Sequence, residues 1–198
     1  MDKKIIGLCG GSGSGKGTVG KIFAENGYLV IDTDKVYRDL TDKSSQCLDA
    51  LTQEFGAEIL NFDGSLNRKE LAALVFSDKE KHTRLNEITH KFVLERVIEI
   101  INLSERCKYK GFIVDAPMLY ESGFDKKCDF VVAVVSDIET RITRIIQRDN
   151  ITRDSAIKRI SAQIPDTDLV KKVDFVIDNN SDLDSLKSKV CEIIKKII

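Results

Sequence analysis

Six of the chain's 12 glycines crowd into GLCGGSGSGKGTV, residues 7–19, between a short apolar run and a stretch with helical periodicity. A backbone that bare can take positive φ and let other groups come close. Set after a strand and before a helix, it is the tight turn of a βα unit. The rest of the sequence keeps the same alternation. Apolar runs suited to strands buried on both faces recur at residues 4–9, 28–32, 111–116, 130–135 and 175–178. Helical patterns follow at 16–26, 138–148 and 153–163. A C-terminal helix lines up Leu183, Leu186, Val190, Ile193, Ile194 and Ile197, with Asp182 and Asp184 before it and Lys195 and Lys196 at its end, as its dipole favours. The expected fold is α/β, a five-stranded parallel sheet with helices on both faces.

One connection is too long. Almost eighty residues separate the second and third strands, and a crossover needs only about a dozen. Within them Leu85, Ile88, Phe92, Val93, Val97, Ile100 and Ile101 follow an amphipathic pattern. The excess reads as a helical insertion, expected at the end of the sheet where ligands bind.

Charge narrows the partners. The 31 basic residues nearly cancel the 32 acidic ones, so no global positive field exists for a nucleic-acid backbone or an anionic membrane. The N-terminal apolar run is too short for a signal-peptide core, and no stretch approaches membrane-spanning length. Cys9, Cys47, Cys107, Cys128 and Cys191 show no CxxC pairing, and their odd number argues against a disulfide framework. His82 and His90 are too few for a structural zinc site. A cytoplasmic protein is expected, without nucleic-acid or membrane partners.

Any anion must therefore be gripped locally, and the glycine loop is built for that. Lys16 directly follows Gly15, as in loops whose amides wrap the β- and γ-phosphates of a nucleotide while the lysine adds a charge. Gly11, Ser12, Gly13, Ser14, Gly15, Lys16, Gly17 and Thr18 are the candidate ATP-binding residues; the alternative is a flexible turn with a solvated lysine. The strict GxxxxGK[ST] pattern fails at Gly17, where a hydroxyl normally touches Mg²⁺, and Thr18 comes one residue late. GKGT resembles adenylate-kinase-like loops, which hold the metal largely through water. Mg²⁺ with a water replacing the missing hydroxyl is expected, with Thr18 in support. No NKxD-type guanine motif occurs, which favours ATP over GTP.

The second strand runs into VIDTDKVYR, residues 30–38, with Asp32 and Asp34 two apart. Either could cap the next helix. A carboxylate near a bound triphosphate is costly unless it meets a metal or a proton, and positioning an acceptor hydroxyl is such a task. Asp115, ending the third apolar run, either helps hold Mg²⁺ through water or caps its strand. Arg141, Arg144 and Arg148 share a helix face, with Glu139 and Asp149 nearby to neutralise them in part; for Arg141 a solvated position is expected.

Seven segments in order carry a resemblance: GGSGSGKGTV at 10–19; Asp32, Thr33, Asp34 and Arg38; DGSLNR at 63–68; ITHK at 88–91; PMLYE at 117–121; QRDNITRDSAIKRISAQ at 147–163; and DFVIDN at 174–179. Together they resemble the dephospho-coenzyme A kinase family, which phosphorylates the ribose 3′-hydroxyl of dephospho-CoA with ATP. The resemblance implies a three-layer P-loop kinase fold with a core at 1–40, 108–147 and 174–198, a helical acceptor-binding insertion at 41–107 and a lid at 148–173. It makes Asp34 the base or positioner of the hydroxyl and assigns Arg38, Arg68, His90, Leu119 and Glu121 to the acceptor. Lys16 and Arg148 join Asp34 as catalytic residues, with Arg153 and Arg159 beside Arg148 in the lid, and Asn179 edges the adenine. On spacing alone His90 could equally be a core or helix-surface histidine, and Asn180 reads as a turn residue.

Four positions depart from the family pattern: Lys91 for a proline, Arg141 for a glutamine, Ser181 for a glycine and Tyr120 for a phenylalanine. Lys91 removes a backbone restriction, and the Tyr120 hydroxyl needs a partner. The rival readings are a nucleoside or nucleoside-monophosphate kinase and a nucleotide-dependent binding module, which would have no use for Asp34.

Overall fold

The structure is a computed structural model that describes residues 3–42, 44–76, 78–104 and 108–197; Cys107 lies outside them. The strands are β1 (Ile5–Cys9), β2 (Leu29–Asp32), β3 (Phe112–Asp115), β4 (Phe130–Val135) and β5 (Phe175–Asp178). The helices are α1 (Lys16–Glu25), α2 (Thr33–Thr41), α3 (Gln46–Phe55), α4 (Arg68–Phe76), α5 (Lys79–Leu103), α6 (Ile138–Asp149), α7 (Arg153–Ser161), α8 (Asp166–Leu169) and α9 (Leu183–Ile197). The chain divides into two compact units, Met1–Ile31 with Glu105–Ile198, and Asp32–Ser104.

The first unit carries the five-stranded parallel sheet in the order β2-β3-β1-β4-β5. Each apolar run expected as a strand is one. β1 lies between β3 and β4, with Ile5 opposite Phe112 and Ile6 opposite Phe130. The chain builds one side of the sheet through β2 and β3 and then crosses to β4 and β5, so the winding reverses at β1. A crevice opens outside the C-terminal end of a strand at such a reversal, and here the glycine loop leaves β1 at that end.

The core explains why these segments settle as they do. Ile6 and Leu8 of β1 are fully buried against Val19 and Phe23 of α1, together with Leu186, Val190 and Ile194 of α9. Burying a side chain the size of Phe23 contributes roughly 2–3 kcal/mol. The apolar stripe expected on α9 is buried except at its start: Leu183 is 52% exposed. It is the first residue of the helix, and the stripe meets the sheet only from Leu186 onward. A smaller cluster joins Ile142 and Ile145 of α6 to Ala156 of α7.

The second unit is helical, as the long connection predicts. Cys47, Leu48, Leu51 and Phe55 of α3 pack with Leu71 and Val75 of α4 and with Leu85, Ile88 and Phe92 of α5. Asp78 caps α5, its carboxylate accepting from the amides of Glu80 and Lys81 at 3.0 and 3.1 Å. α5 then runs 25 residues without a break through Lys91. A proline there would remove a helix hydrogen bond and clash with the preceding turn, so the lysine suits the long helix. No described helix is long and apolar enough to cross a membrane.

Candidate active site

The glycine loop spans the end of β1 to the start of α1. Gly15 caps α1 at φ 92°, a left-handed backbone that strains any side chain, and a Cβ there would press on the Asn179 amide nitrogen. Lys16 opens α1, where the Thr18 amide donates to Gly15 O at 2.9 Å and the helix dipole favours an anion. The Lys16 ammonium pairs with the Asp115 carboxylate at the end of β3, both side chains being largely buried. Gly17 and Thr18 are exposed. Ser14 is fully buried, and its hydroxyl is without a hydrogen-bond partner among the described residues.

The loop's carbonyls are held from behind. Arg141 Nε donates to Ser12 O at 2.9 Å, Arg144 Nη1 to Gly13 O at 3.2 Å and Ser14 O at 3.3 Å, and Asn179 Nδ2 to Ser14 O at 2.8 Å. Arg144 also reaches Asn179 O at 3.1 Å. The solvated position expected for Arg141 is corrected: the residue is 5% exposed and its guanidinium lies against the loop, paired with Asp166. Asn179 is buried with its side chain on the loop, while Asn180 pins the turn after β4 through the Ser136 hydroxyl and the Asp137 amide.

Beside the loop lies a cleft of about 260 Å³, lined by Gly10, Gly11, Leu119, Tyr120, Glu121 and Gln163 among others. Leu119 is 1% exposed and packs against Gly7 of β1, where a Cβ would meet it at 2.8 Å. Glu121 is exposed. The Tyr120 hydroxyl finds its partner in Lys172 O at 2.7 Å, and burial pushes its pKa up to about 12.

Arg148 does not touch the loop. Its guanidinium forks onto Asp149, Nε to Oδ1 at 2.8 Å and Nη2 to Oδ2 at 2.9 Å, and Arg159 pairs with the same carboxylate. These arginines, with the direct bonds from Arg148 first, hold the Asp149 carboxyl down at about 2. Glu139 pairs with Arg153 at 2.7 Å, so of the two acids expected to neutralise Arg141, Arg144 and Arg148, Asp149 meets Arg148 and Glu139 turns to Arg153 instead.

In the second unit, Asp32 is the N-cap of α2 and accepts from the amides of Asp34 and Lys35 at 2.9 and 3.1 Å. Asp34 lies in the first turn, exposed, one helical turn before the exposed Arg38. Capping is thus the task of Asp32 and not of Asp34. Arg68 donates to Thr41 Oγ1 at 3.0 Å and Asp42 Oδ1 at 2.8 Å, and lies over the Tyr37 ring. His90 is half-buried on α5.

From the sequence, Arg141 reads as solvated and Arg144 only as its neighbour on a helix face, while Gln163 and Asp166 fall inside the expected lid without a role of their own. The i, i+3 spacing of the two arginines was visible; their burial depends on the loop they meet. For a metal, the donor set is thin: among the described residues no three His, Cys, Asp or Glu side chains gather, and position 17 offers no hydroxyl. That fits an ion carried by nucleotide phosphates and water with Asp115 at its margin, and not a protein cage.

Comparison with known proteins shows what the chain is similar to. The family model described as dephospho-CoA kinase matches residues 4–185. A dephospho-CoA kinase from Fusobacterium nucleatum is 44% identical over 197 residues, covering 98% of this chain and 100% of that one. One from Corynebacterium glutamicum is 38% identical over 193 residues, covering 98% and 96%. The crystal structure of TT1252 from Thermus thermophilus superposes with a TM-score of 0.85 at 27% identity over the whole of both chains.

Proposed function

The chain belongs to the dephospho-CoA kinase family, and from that premise we propose how its residues divide the work of passing the terminal phosphoryl group of ATP to the ribose 3′-hydroxyl of dephospho-CoA, giving CoA and ADP. The observation that carries this reading is the glycine loop, with its carbonyls tied to Arg141, Arg144 and Asn179 and its lysine at the head of α1.

Phosphoryl transfer asks a protein mainly for positioning and for charge placed where the transition state needs it. Residues 11–18 wrap the phosphates, with the Gly13 amide among the main-chain donors and the α1 dipole in support, while the Ser12 amide is held by Gln163. The phosphates compete with Asp115 for the Lys16 ammonium, which then sits on the transferring group. Asp34, freed from capping by Asp32, accepts the hydrogen bond of the 3′-hydroxyl and aims its oxygen. Arg38, Arg68 and His90, with Leu119 and Glu121, recognise the acceptor, whose diphosphate needs cations and whose adenine and pantetheine need an apolar wall. The insertion at 41–107 supplies Arg68 and His90.

Residues 148–173 form a lid, and Arg148, Arg153 and Arg159 turn from their carboxylates to phosphate oxygens as it closes, shutting out water as a rival acceptor. Asn179 edges the adenine. Asp115 would be the protein's contribution to holding Mg²⁺ brought with ATP, and the ion would supply positive charge to the phosphates. The setting is the cytoplasm. The test is an acceptor panel: with Mg-ATP, dephospho-CoA should release ADP far faster than AMP, CMP or nucleosides, and preferential turnover of a nucleotide would overturn the reading.

A further inference from the structure

The Ser12 main chain is held on both sides, at its amide and at its carbonyl, by one connected set of side chains. Its carbonyl accepts from Arg141 Nε at 2.9 Å, and its amide donates to Gln163 Oε1 at 2.8 Å. The same Gln163 oxygen accepts from Arg141 Nη2 at 3.2 Å, and Arg141 Nη1 donates to Asp166 Oδ1 at 3.0 Å. All three guanidinium nitrogens are engaged. The loop is shaped around the group: a Cβ on Gly11 would lie 2.1 Å from Arg141 Nη2, and one on Gly13 would lie 2.6 Å from the Arg141 carbonyl oxygen.

A guanidinium this buried carries a desolvation penalty that a solvent-facing residue would avoid. Its position has a consequence for the loop. In a trans peptide the carbonyl and the following amide point in opposite directions. Tying Ser12 O to Arg141 on one side therefore aims the Gly13 amide to the other, and amide direction is what a phosphate loop works with.

We propose that Arg141 is a positioning residue of the phosphate loop, setting the Ser12 peptide through its contacts with Gln163 and Asp166. This rests on the reading of the loop as the ATP site. Arg141 reaches no substrate atom; it acts through the main chain, so its effect falls on ATP and not on the acceptor.

The test compares wild type, Arg141→Met and the double variant Arg141→Met/Asp166→Asn, the second change removing the carboxylate that the first leaves behind. KM for ATP rises about 10-fold in both, the scale of one charge-assisted hydrogen bond, while KM for dephospho-CoA stays within about 2-fold. The double variant regains thermal stability without regaining ATP affinity. A wild-type KM for ATP in the double variant, or both KM values moving together in step with stability, overturns the proposal. Lys16→Ala separates the two layers. If it binds ATP as wild type does, the loop is not the ATP site; if it loses ATP while the Arg141 variants keep it, only the role of Arg141 fails.

Discussion

Lys16, the first residue of α1, is ion-paired with Asp115, the last residue of β3. The pair joins the start of the helix that follows the glycine loop to the strand beside β1, and it gives the lysine that we propose binds phosphate a carboxylate to rest on. Removing either partner alone strands charge in a poorly solvated place. Lys16→Ala should lower the melting temperature by a few degrees and reduce kcat/KM for ATP by about 10²-fold or more. Adding Asp115→Asn should restore stability and not activity. Recovery of both would make the pair structural only.

Gly17 stands where nucleotide-binding loops usually carry a hydroxyl, and a Cβ there would meet nothing within 4 Å. Gly17→Ser should therefore fold without strain and be no less stable, since glycine inside a helix costs about 0.5–1 kcal/mol relative to alanine. The new hydroxyl should lower the Mg²⁺ concentration for half-maximal rate. A magnesium titration that superimposes on wild type would show that water serves this position equally well.

Asp32 caps α2, and Asp34 lies in its first turn without capping it. Asp32→Ala removes the cap and should cost about 1 kcal/mol of stability. Asp34→Asn leaves the cap in place and should lower kcat by roughly 10²-fold or more with KM for ATP unchanged. Steady-state kinetics and thermal melts on the two variants check this, and equal turnover by Asp34→Asn removes that residue from the mechanism.

The Asp149 carboxyl is held at about 2 by Arg148 and Arg159. A carboxylate with a lowered folded-state pKa stabilises the protein above its unfolded value, near 3.8, and the benefit fades as pH falls from there toward 2. A carboxyl NMR titration of Asp149 should give a midpoint near the lower figure. In Arg148→Gln the midpoint should move up toward the ordinary carboxylate range; an unmoved midpoint would mean that Arg148 does not hold it.

What could be read from the sequence was local. Each strand was visible as an apolar run bounded by polar residues, and the C-terminal helix as a stripe from Leu186 to Ile197, because burial imprints its period on neighbouring positions. Leu183 matched the period and still lies exposed, since a helix start can overhang its sheet. Asp32 could be seen as a candidate cap but not told from Asp34 until the helix start was fixed. Arg141 escaped because nothing within its own helix explains a buried guanidinium. Its partners are Ser12, far back in the chain, and Gln163 and Asp166 beyond the next helix, and such long-range satisfaction of charge leaves no local pattern.

The most direct test of the whole account is the chemical identity of the product. Purified protein, Mg-ATP and dephospho-CoA are incubated and followed by ³¹P NMR. A new phosphomonoester resonance at the ribose 3′ position, growing in step with ADP and absent in Asp34→Asn over the same interval, is the result predicted. ADP without that resonance, or phosphate appearing on another atom of the acceptor, would contradict it.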